Sequence, residues 1–252
     1  MDLLTLASGE ASGQVELTLI HTESIPHPNA DGSISQLEWH VESYGSRIHT
    51  ARPHDEAVKD WRFLFTCNDR PFDELLPAWL TLRRRAPEAC NVYFGQRYSR
   101  PTYTEVRLLL NAIAAETLHA SLYGNETELP EDVFAELRRR VLEALPDPKQ
   151  KSWAKQKLRN APSFRERLMS LAAKPDPIAL SLVVPDAERW SRLLRDARNN
   201  LAHTGNERTD EDIFHLEGVT ASVIALVLVC ELGLSTDVQR RAAKDILRSQ
   251  HP

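Results

Sequence analysis

The residues best suited to chemistry lie in the stretch 193–205, LLRDARNNLAHTG. Within it, Arg198, Asn199 and His203 follow the pattern R-N-x-x-x-H. A histidine with its ordinary pKa of about 6.5 can move protons at neutral pH, and a guanidinium can hold phosphate oxygens in a fork. The amide of Asn199 lies one helical turn before His203, close enough to orient the imidazole or a ribose. These groups predict cleavage of RNA, whose own 2′-hydroxyl can attack the phosphate without a metal.

The helix that carries these residues is predicted over 185–204, with Gly205 as a left-handed cap. At about 100° per residue its apolar face should be buried. That face contains Trp190, Leu193, Leu194, Ala197 and Leu201. The polar face adds Arg195 to the motif residues, and on it Arg198 and His203 lie about 140° apart, on two rims of a groove. A second copy of this helix would close the groove, so we expect a homodimer.

A structural alternative for the motif needs no catalysis. Arg198 would be a surface arginine, Asn199 a residue near a helix terminus, and His203 a histidine favoured by the negative end of the helix dipole. The polar residues lie opposite a face that is entirely apolar, just before the predicted end of the helix. This arrangement favours a functional site over the structural alternative.

Glu116 and His119 form a Glu-x-x-His pattern on a second predicted helix. This spacing occurs in carboxylate-bridged metal sites, but such sites need a matching second motif, which the sequence lacks. We therefore expect no metal and no other cofactor. The alternatives are an auxiliary polar role beside the motif helix, shared with Arg195, or simple solvent exposure.

The segment 138–167 is locally basic in a chain whose formal net charge is −5. We interpret five of its cations as contacts to an RNA backbone: Arg138, Arg139, Lys155, Lys157 and Arg159. Trp153 lies among them and offers a face on which a base could stack. The alternative is a solvated helical surface.

Composition limits the remaining possibilities. The chain has 252 residues, 42% hydrophobic and 27% charged, as expected for a soluble globular protein. Its three cysteines form no C-x-x-C pair, and the start of the sequence resembles no secretory leader. We expect a cytoplasmic protein that does not span a membrane, because the longest apolar run is too short to cross a bilayer.

The predicted fold class is α+β, with a mixed region at 1–98 and an all-helical domain at 99–252. Strand patterns cover 14–21 and 36–43, with a loop at 26–33 between them and a more ambiguous strand at 62–67. Helices are predicted at 71–85, 102–123, 130–145, 148–160, 163–173, 185–204, 209–231 and 237–248. Thr102 and Glu105 should form a capping box, and the helix at 209–231, apolar nearly all round, should be central or at a subunit interface.

The helical half, with R-N-N-L-A-H before its last long helix, resembles the HEPN domain, a family of metal-independent ribonucleases. The segments WRFLFTCNDRPFDELLPAWLTL and LLLNAIAAETLHASLYG resemble the ApeA-like branch of that family, which is associated with anti-phage defence. The resemblance implies a HEPN helical bundle and a homodimer, in which Arg198 and His203 of both subunits share a cleft. The products would be a 2′,3′-cyclic phosphate and a 5′-hydroxyl, and tRNA is the substrate class that the family suggests.

Relatives of this kind carry a large β-rich sensor domain in front, of which residues 1–98 would be a remnant or tail. Regulation by such a sensor domain, or by an antitoxin that silences a toxin, follows from the same resemblance. The alternative function is a non-catalytic HEPN module that binds RNA or a partner protein.

Overall fold

The computed structural model describes residues 1–12, 25–37, 62–99, 103–124, 126–203 and 210–250. Eleven helices and one two-stranded sheet lie in these ranges. The elements are α1 (Asp2–Ser8), β1 (Ile25–Pro28), β2 (Ile34–Leu37), α2 (Phe72–Arg85), α3 (Pro87–Tyr98), α4 (Thr104–Tyr123), α5 (Glu131–Ala144), α6 (Pro148–Lys157), α7 (Phe164–Ala172), α8 (Pro177–Val183), α9 (Ala187–His203), α10 (Asp210–Glu231) and α11 (Thr236–Gln250).

Helix α10 lies at the centre of the bundle, as its sequence predicts. It packs against α4, α7, α8, α9 and α11, and its side chains Leu226, Val227 and Val229 are fully buried. Each such aliphatic side chain contributes roughly 1.5–3 kcal/mol through burial. By length and composition, Asp212–Glu231 could also cross a membrane, but 72% of its most apolar window is buried inside the protein. A single helix of this kind is weak evidence for a membrane span.

Two buried carboxylates link α3, α4, α8, α10 and α11. Glu217 of α10 accepts hydrogen bonds from Arg107 Nη2 at 3.0 Å and from Asn111 Nδ2 at 2.9 Å, both on α4. Asn111 in turn accepts a 2.7 Å bond from Gln96 Nε2 on α3. These bonds satisfy polar groups that would otherwise be costly to bury.

Asp176 holds the start of α8 against α11. Its side chain accepts bonds from the backbone N–H groups of Ile178 and Ala179, both at 3.0 Å, and a fork of bonds from Arg240 at 2.8 and 3.0 Å. The Arg240 guanidinium lowers the pKa of Asp176 to about 2. The carboxylate therefore acts both as a helix cap and as a bridge between two helices.

The chain is mostly helical in the described residues, and the predicted strands are only partly found. The predicted strand at 14–21 lies outside these residues, and of the strand at 36–43 only Gln36 and Leu37 are described, at the end of β2. The predicted loop at 26–33 is partly wrong, because β1 occupies its beginning and pairs antiparallel with β2, with Ile25 opposite Leu37. The strand at 62–67 is also wrong: this stretch is irregular, and Leu64 and Phe65 are buried without a partner strand.

Most predicted helices are confirmed to within a few residues, and three were missed. Helix α4 ends at Tyr123 as predicted, but it begins at Thr104, its N-cap is Tyr103, and no side chain caps it. The predicted capping box of Thr102 and Glu105 is therefore wrong, because the N-cap lies one residue later than that box requires. Thr102 itself lies outside the described residues. The sequence reading also missed α1, α3 and α8.

Helices α1, α2 and α3 contribute to the same apolar core as the later helices. Leu6, Trp79 and Phe94 are buried in it, together with Leu118 and Leu226. The aromatic pair Trp79 and Phe94 meets edge to face at 5.7 Å between ring centroids. A division into domains at 1–98 and 99–252 stays a prediction.

Candidate functional site

Helix α9 positions the motif because its apolar face is anchored in the core. Trp190, Leu194 and Ala197 are buried, and Leu193 and Leu201 pack partly buried against the same core. The indole Nε1 of Trp190 also donates to Thr220 Oγ1 of α10 at 3.1 Å. The predicted buried face is confirmed, and it turns Arg198 toward α4 and α7.

Arg198 is held by contacts to two neighbouring helices, α4 and α7. Its Nη2 donates to Glu116 Oε2 of α4 at 2.8 Å. Its guanidinium carbon lies 4.5 Å from the centre of the Phe164 ring at the start of α7. About 35% of the side chain remains exposed. A guanidinium carries five N–H donors, so donors remain for an incoming anion after the bond to Glu116.

Glu116 stands between two arginines. Beside its bond to Arg198, its Oε1 lies 3.5 Å from Nη1 of Arg167 on α7. The structure thus brings Glu116 against the motif helix, where the sequence reading proposed an auxiliary residue. By attracting both guanidinium groups, the Glu116 carboxylate holds Arg198 and Arg167 close to itself and offsets their mutual repulsion. The cluster of Arg198, Glu116, Arg167 and Phe164 is hereafter called the arginine cluster.

The other motif residues lie on the C-terminal half of α9. Asn199 is exposed, next to Arg198. His203 is the last residue of the helix, about 7.5 Å along the axis from Arg198. Gly205, the predicted cap, lies outside the described residues.

His119 lies in the protein interior rather than at the surface. Its side chain is 3% exposed, its ring stacks on Tyr123 at 4.6 Å, and its Nε2 has no hydrogen-bond partner among the described residues. The nearest carboxylate oxygen in an ion pair is Oε2 of Glu126, 4.0 Å away. Burial lowers the pKa of His119, and the charge of Arg167 lowers it further, against the opposing effect of Glu126 and Glu116.

Arg195 does not join the arginine cluster. Its Nε donates to Asp196 Oδ1 at 2.8 Å, and both side chains are 44% exposed. Within the described residues no group of three or more histidine, cysteine, aspartate or glutamate side chains is placed to hold a metal ion. Glu116 has two arginines as neighbours, which is an unfavourable setting for a cation.

The five cations proposed as RNA contacts separate into two groups. Arg139 of α5 is bonded to Glu136 and Glu143 on its own helix, at 2.7–2.8 Å, and Arg138 Nη2 donates to the backbone oxygen of Lys155 at 3.3 Å. Lys155 and Lys157 of α6, and Arg159 after it, are exposed. The arginines of α5 are therefore engaged within the protein, and the cations at α6 face solvent.

Sequence reading missed two residues of the arginine cluster. Phe164 and Arg167 belong to α7, which opens with a capping box formed by Ser163 and Glu166. That box was recognisable in the sequence as the start of a helix. Its packing against α9 was not, because α7 is only nine residues long and is separated from α9 by α8.

Comparison with known proteins identifies the family. A family model described as Apea-like HEPN matches residues 109–238, which is more than half of the chain and spans the segment from Glu116 to His203. Neither a curated protein nor a solved structure gives a significant match. The extent of this match, over the helices that form the arginine cluster, shows that the chain belongs to the ApeA-like HEPN family.

Proposed function

We propose that this protein is a metal-independent endoribonuclease whose reaction is carried by Arg198 and His203, assisted by Asn199. Membership of the HEPN family supports a nuclease or RNA-related role and links the chain to anti-phage defence. The catalytic role of Arg198 is supported by the position of its side chain. The guanidinium is oriented by Glu116, stacks on Phe164 and is still partly exposed. An arginine held in this way is prepared to bind a phosphate with little loss of conformational freedom.

The proposed reaction transfers the phosphorus from one oxygen to another. The substrate's 2′-hydroxyl loses its proton to a neutral histidine, its oxygen bonds to phosphorus, and the bond from phosphorus to the 5′-oxygen breaks. The 5′-oxygen takes a proton from a charged histidine. Arg198 stabilises the negative charge that builds on the phosphate oxygens, and Asn199 orients the imidazole or the ribose. The products are a 2′,3′-cyclic phosphate and a 5′-hydroxyl.

This chemistry asks for one histidine as base and another as acid, which supports a homodimer. HEPN domains often dimerise, and a second copy would place two His203 side chains and two Arg198 guanidinium groups in one cleft. A cytoplasmic protein that cuts tRNA during phage infection, under control of a sensor domain or an antitoxin, fits this proposal. Residues 1–98 would then be the remnant of the sensor domain, before a HEPN domain at 99–252.

The decisive experiment incubates the purified full chain with total RNA in EDTA, beside Arg198→Ala and His203→Ala. We expect the wild type to cut RNA and each variant to lose at least about 100-fold in rate, the typical contribution of a positioned acid, base or charge stabiliser. Matched controls are Arg189→Ala, an exposed arginine on the same helix, and His27→Ala, an exposed histidine in the hairpin. Both should cut at the wild-type rate.

The proposal fails if the wild type and both variants leave RNA equally intact. A wild type that binds RNA or a protein without cutting RNA would support the non-catalytic HEPN module instead. Cleavage that EDTA abolishes would point to a metal-dependent reaction.

A further inference from the structure

Helix α6 carries four lysines and no acidic residue. Lys149, Lys151, Lys155 and Lys157 lie in its ten residues, and Arg159 follows. Within the described part of the chain, none of the ion pairs includes one of these five cations. Glu136 and Glu143 on the adjacent α5 are bonded to Arg139 and Arg140 of that helix. Both of these acids are therefore paired with other residues. Asp147, the N-cap of α6, accepts a hydrogen bond from the backbone N–H of Lys149 at 2.9 Å and forms no ion pair with a lysine side chain within the described residues.

The charge is arranged around an aromatic ring. At about 100° per residue, Lys149 and Lys157 lie about 40° to either side of Trp153, one turn before it and one turn after it. All three residues are exposed, and 63% of Trp153 is accessible. Lys151 and Lys155 lie about 160° away on the other side of the helix. We call Lys149, Trp153 and Lys157 the α6 stripe.

An exposed tryptophan between two lysines fits the chemistry of an unpaired nucleotide. A base can stack on the indole only when it is not already stacked and paired in a duplex, and the adjacent phosphates are attracted to the two ammonium groups. From Lys149 to Lys157 the helix rises about 12 Å over eight steps, the length of about three to four nucleotide steps in a stacked strand. A run of acidic side chains would pair with the lysines but offers no aromatic ring to stack on the indole.

The stripe is also close to the proposed catalytic residues along the chain. Phe164, the residue on which Arg198 stacks, is seven positions after Lys157, so their Cα atoms are at most about 25 Å apart. This distance corresponds to at most about seven stacked nucleotides between α6 and the arginine cluster.

We propose that the α6 stripe binds single-stranded RNA, with a base stacked on Trp153 and phosphates at Lys149 and Lys157. This rests on the proposed ribonuclease function and specifies its substrate class: RNA with an unpaired segment, such as a hairpin loop, beside the cleaved bond. Of the five cations predicted to contact RNA, Lys157 is a direct contact in this proposal. Arg139 instead has a structural role, because it is paired with Glu136 and Glu143.

The experiment measures binding apart from cleavage. The full chain carrying His203→Ala is titrated with a fluorescent, unstructured 12-nucleotide RNA and with a duplex of the same length, by anisotropy at several salt concentrations. We expect the single strand to bind more tightly than the duplex. Adding Trp153→Ala should weaken single-strand binding about tenfold, while Trp153→Phe should restore most of it, because a phenyl ring also stacks.

The lysines are tested with a charge-matched pair of variants. Lys149→Gln with Lys157→Gln should weaken binding and reduce the slope of log affinity against log salt by about 1.4, since each phosphate contact on a single strand contributes about 0.7. Lys151→Gln with Lys155→Gln removes the same charge from the opposite side of the helix and should change both quantities much less.

Three results would overturn the proposal: equal affinity for duplex and single strand, no effect of Trp153→Ala, or equal effects of the two lysine pairs. Displacement of the RNA by poly-glutamate at the same charge concentration would also contradict it, in favour of a protein partner. If the wild type cuts no RNA but the stripe variants weaken single-strand binding as expected, the nuclease proposal fails and the RNA-binding site stands.

Discussion

Glu116 determines how Arg198 can meet a substrate. Its carboxylate bonds to Arg198 at 2.8 Å and lies 3.5 Å from Arg167, while the Phe164 ring supports the guanidinium from another side. None of these neighbours needs to contact RNA. Glu116 is therefore a positioning residue in this account, and its effect should appear in catalysis more than in substrate binding.

Replacing Glu116 with glutamine tests this role. Glu116→Gln keeps the size of the side chain but removes the charge that restrains Arg198, so we expect kcat to fall about tenfold and KM to change by less. The matched control is Glu74→Gln, which removes another carboxylate paired with an arginine, Arg70, on the exposed surface of α2. A lower melting temperature with unchanged kcat would mean that Glu116 has only a structural role.

His119 makes stability depend on pH. Burial lowers its pKa below the ordinary value, so the unfolded chain binds the proton more tightly than the folded chain. The contribution to stability is complete above pH of about 6.5 and is lost as pH falls through the folded-state pKa. We expect the wild-type melting temperature to fall between pH 7.5 and pH 5.5 by more than that of His119→Phe, whose ring can still stack on Tyr123.

The same fall in both proteins would show that another group is responsible. The charged and titratable neighbours of His119 are Arg167, Glu126, Glu116 and Tyr123. Because His119→Phe leaves all of these neighbours in place, the comparison isolates the histidine.

At the scale of elements, we expect the stability of the fold to depend on the polar contacts between α4 and α10. Glu217 is buried and accepts bonds from Arg107 and Asn111. Glu217→Ala would leave both donors without their acceptor, and we expect a loss of about 2–3 kcal/mol in the free energy of unfolding. Glu217→Gln retains an acceptor oxygen and should lose less, which urea denaturation of the two variants measures. Equal losses would show that the hydrogen bonds contribute little.

Helices with a clear sequence signal could be predicted, and those without one could not. Helices α2 and α9 have an apolar face at helical spacing, α4 and α10 are long runs rich in apolar residues, and α7 begins with a recognisable capping box. Helix α3 was missed because it begins almost directly after α2 and its composition, PEACNVYFGQRY, has little periodicity. Helix α8 has seven residues, too few to show a repeat.

The candidate site likewise has a part that could be predicted from the sequence and a part that could not. The spacing of Arg198 and His203 belongs to one helix, so the sequence alone could place both. The contact between Arg198 and Glu116 joins residues 82 positions apart, and it depends on how α4 packs against α9. The support from Phe164 likewise requires the packing of α7. Local patterns could identify the groups, but tertiary packing decides which of them meet.

At the scale of the whole molecule, a shared cleft requires a second copy of the chain. Arg198 and His203 are five residues apart on α9, a spacing that corresponds to about 140° around a regular helix. If the cleft is shared, the rate per chain should rise with protein concentration through the monomer–dimer transition, measured by light scattering on the same samples. A monomer that cuts RNA at the same rate per chain would contradict the shared cleft.

The central claim is that the substrate's own 2′-hydroxyl is the nucleophile and that no metal takes part. The most direct test uses an RNA that the protein cuts at one position, and the same RNA with a single 2′-deoxyribose at that position, both in EDTA. We predict that the first is cut to a 2′,3′-cyclic phosphate and a 5′-hydroxyl, and that the second stays intact at that bond. Cleavage of the deoxy-substituted bond, or a product with a 5′-phosphate, would contradict the account.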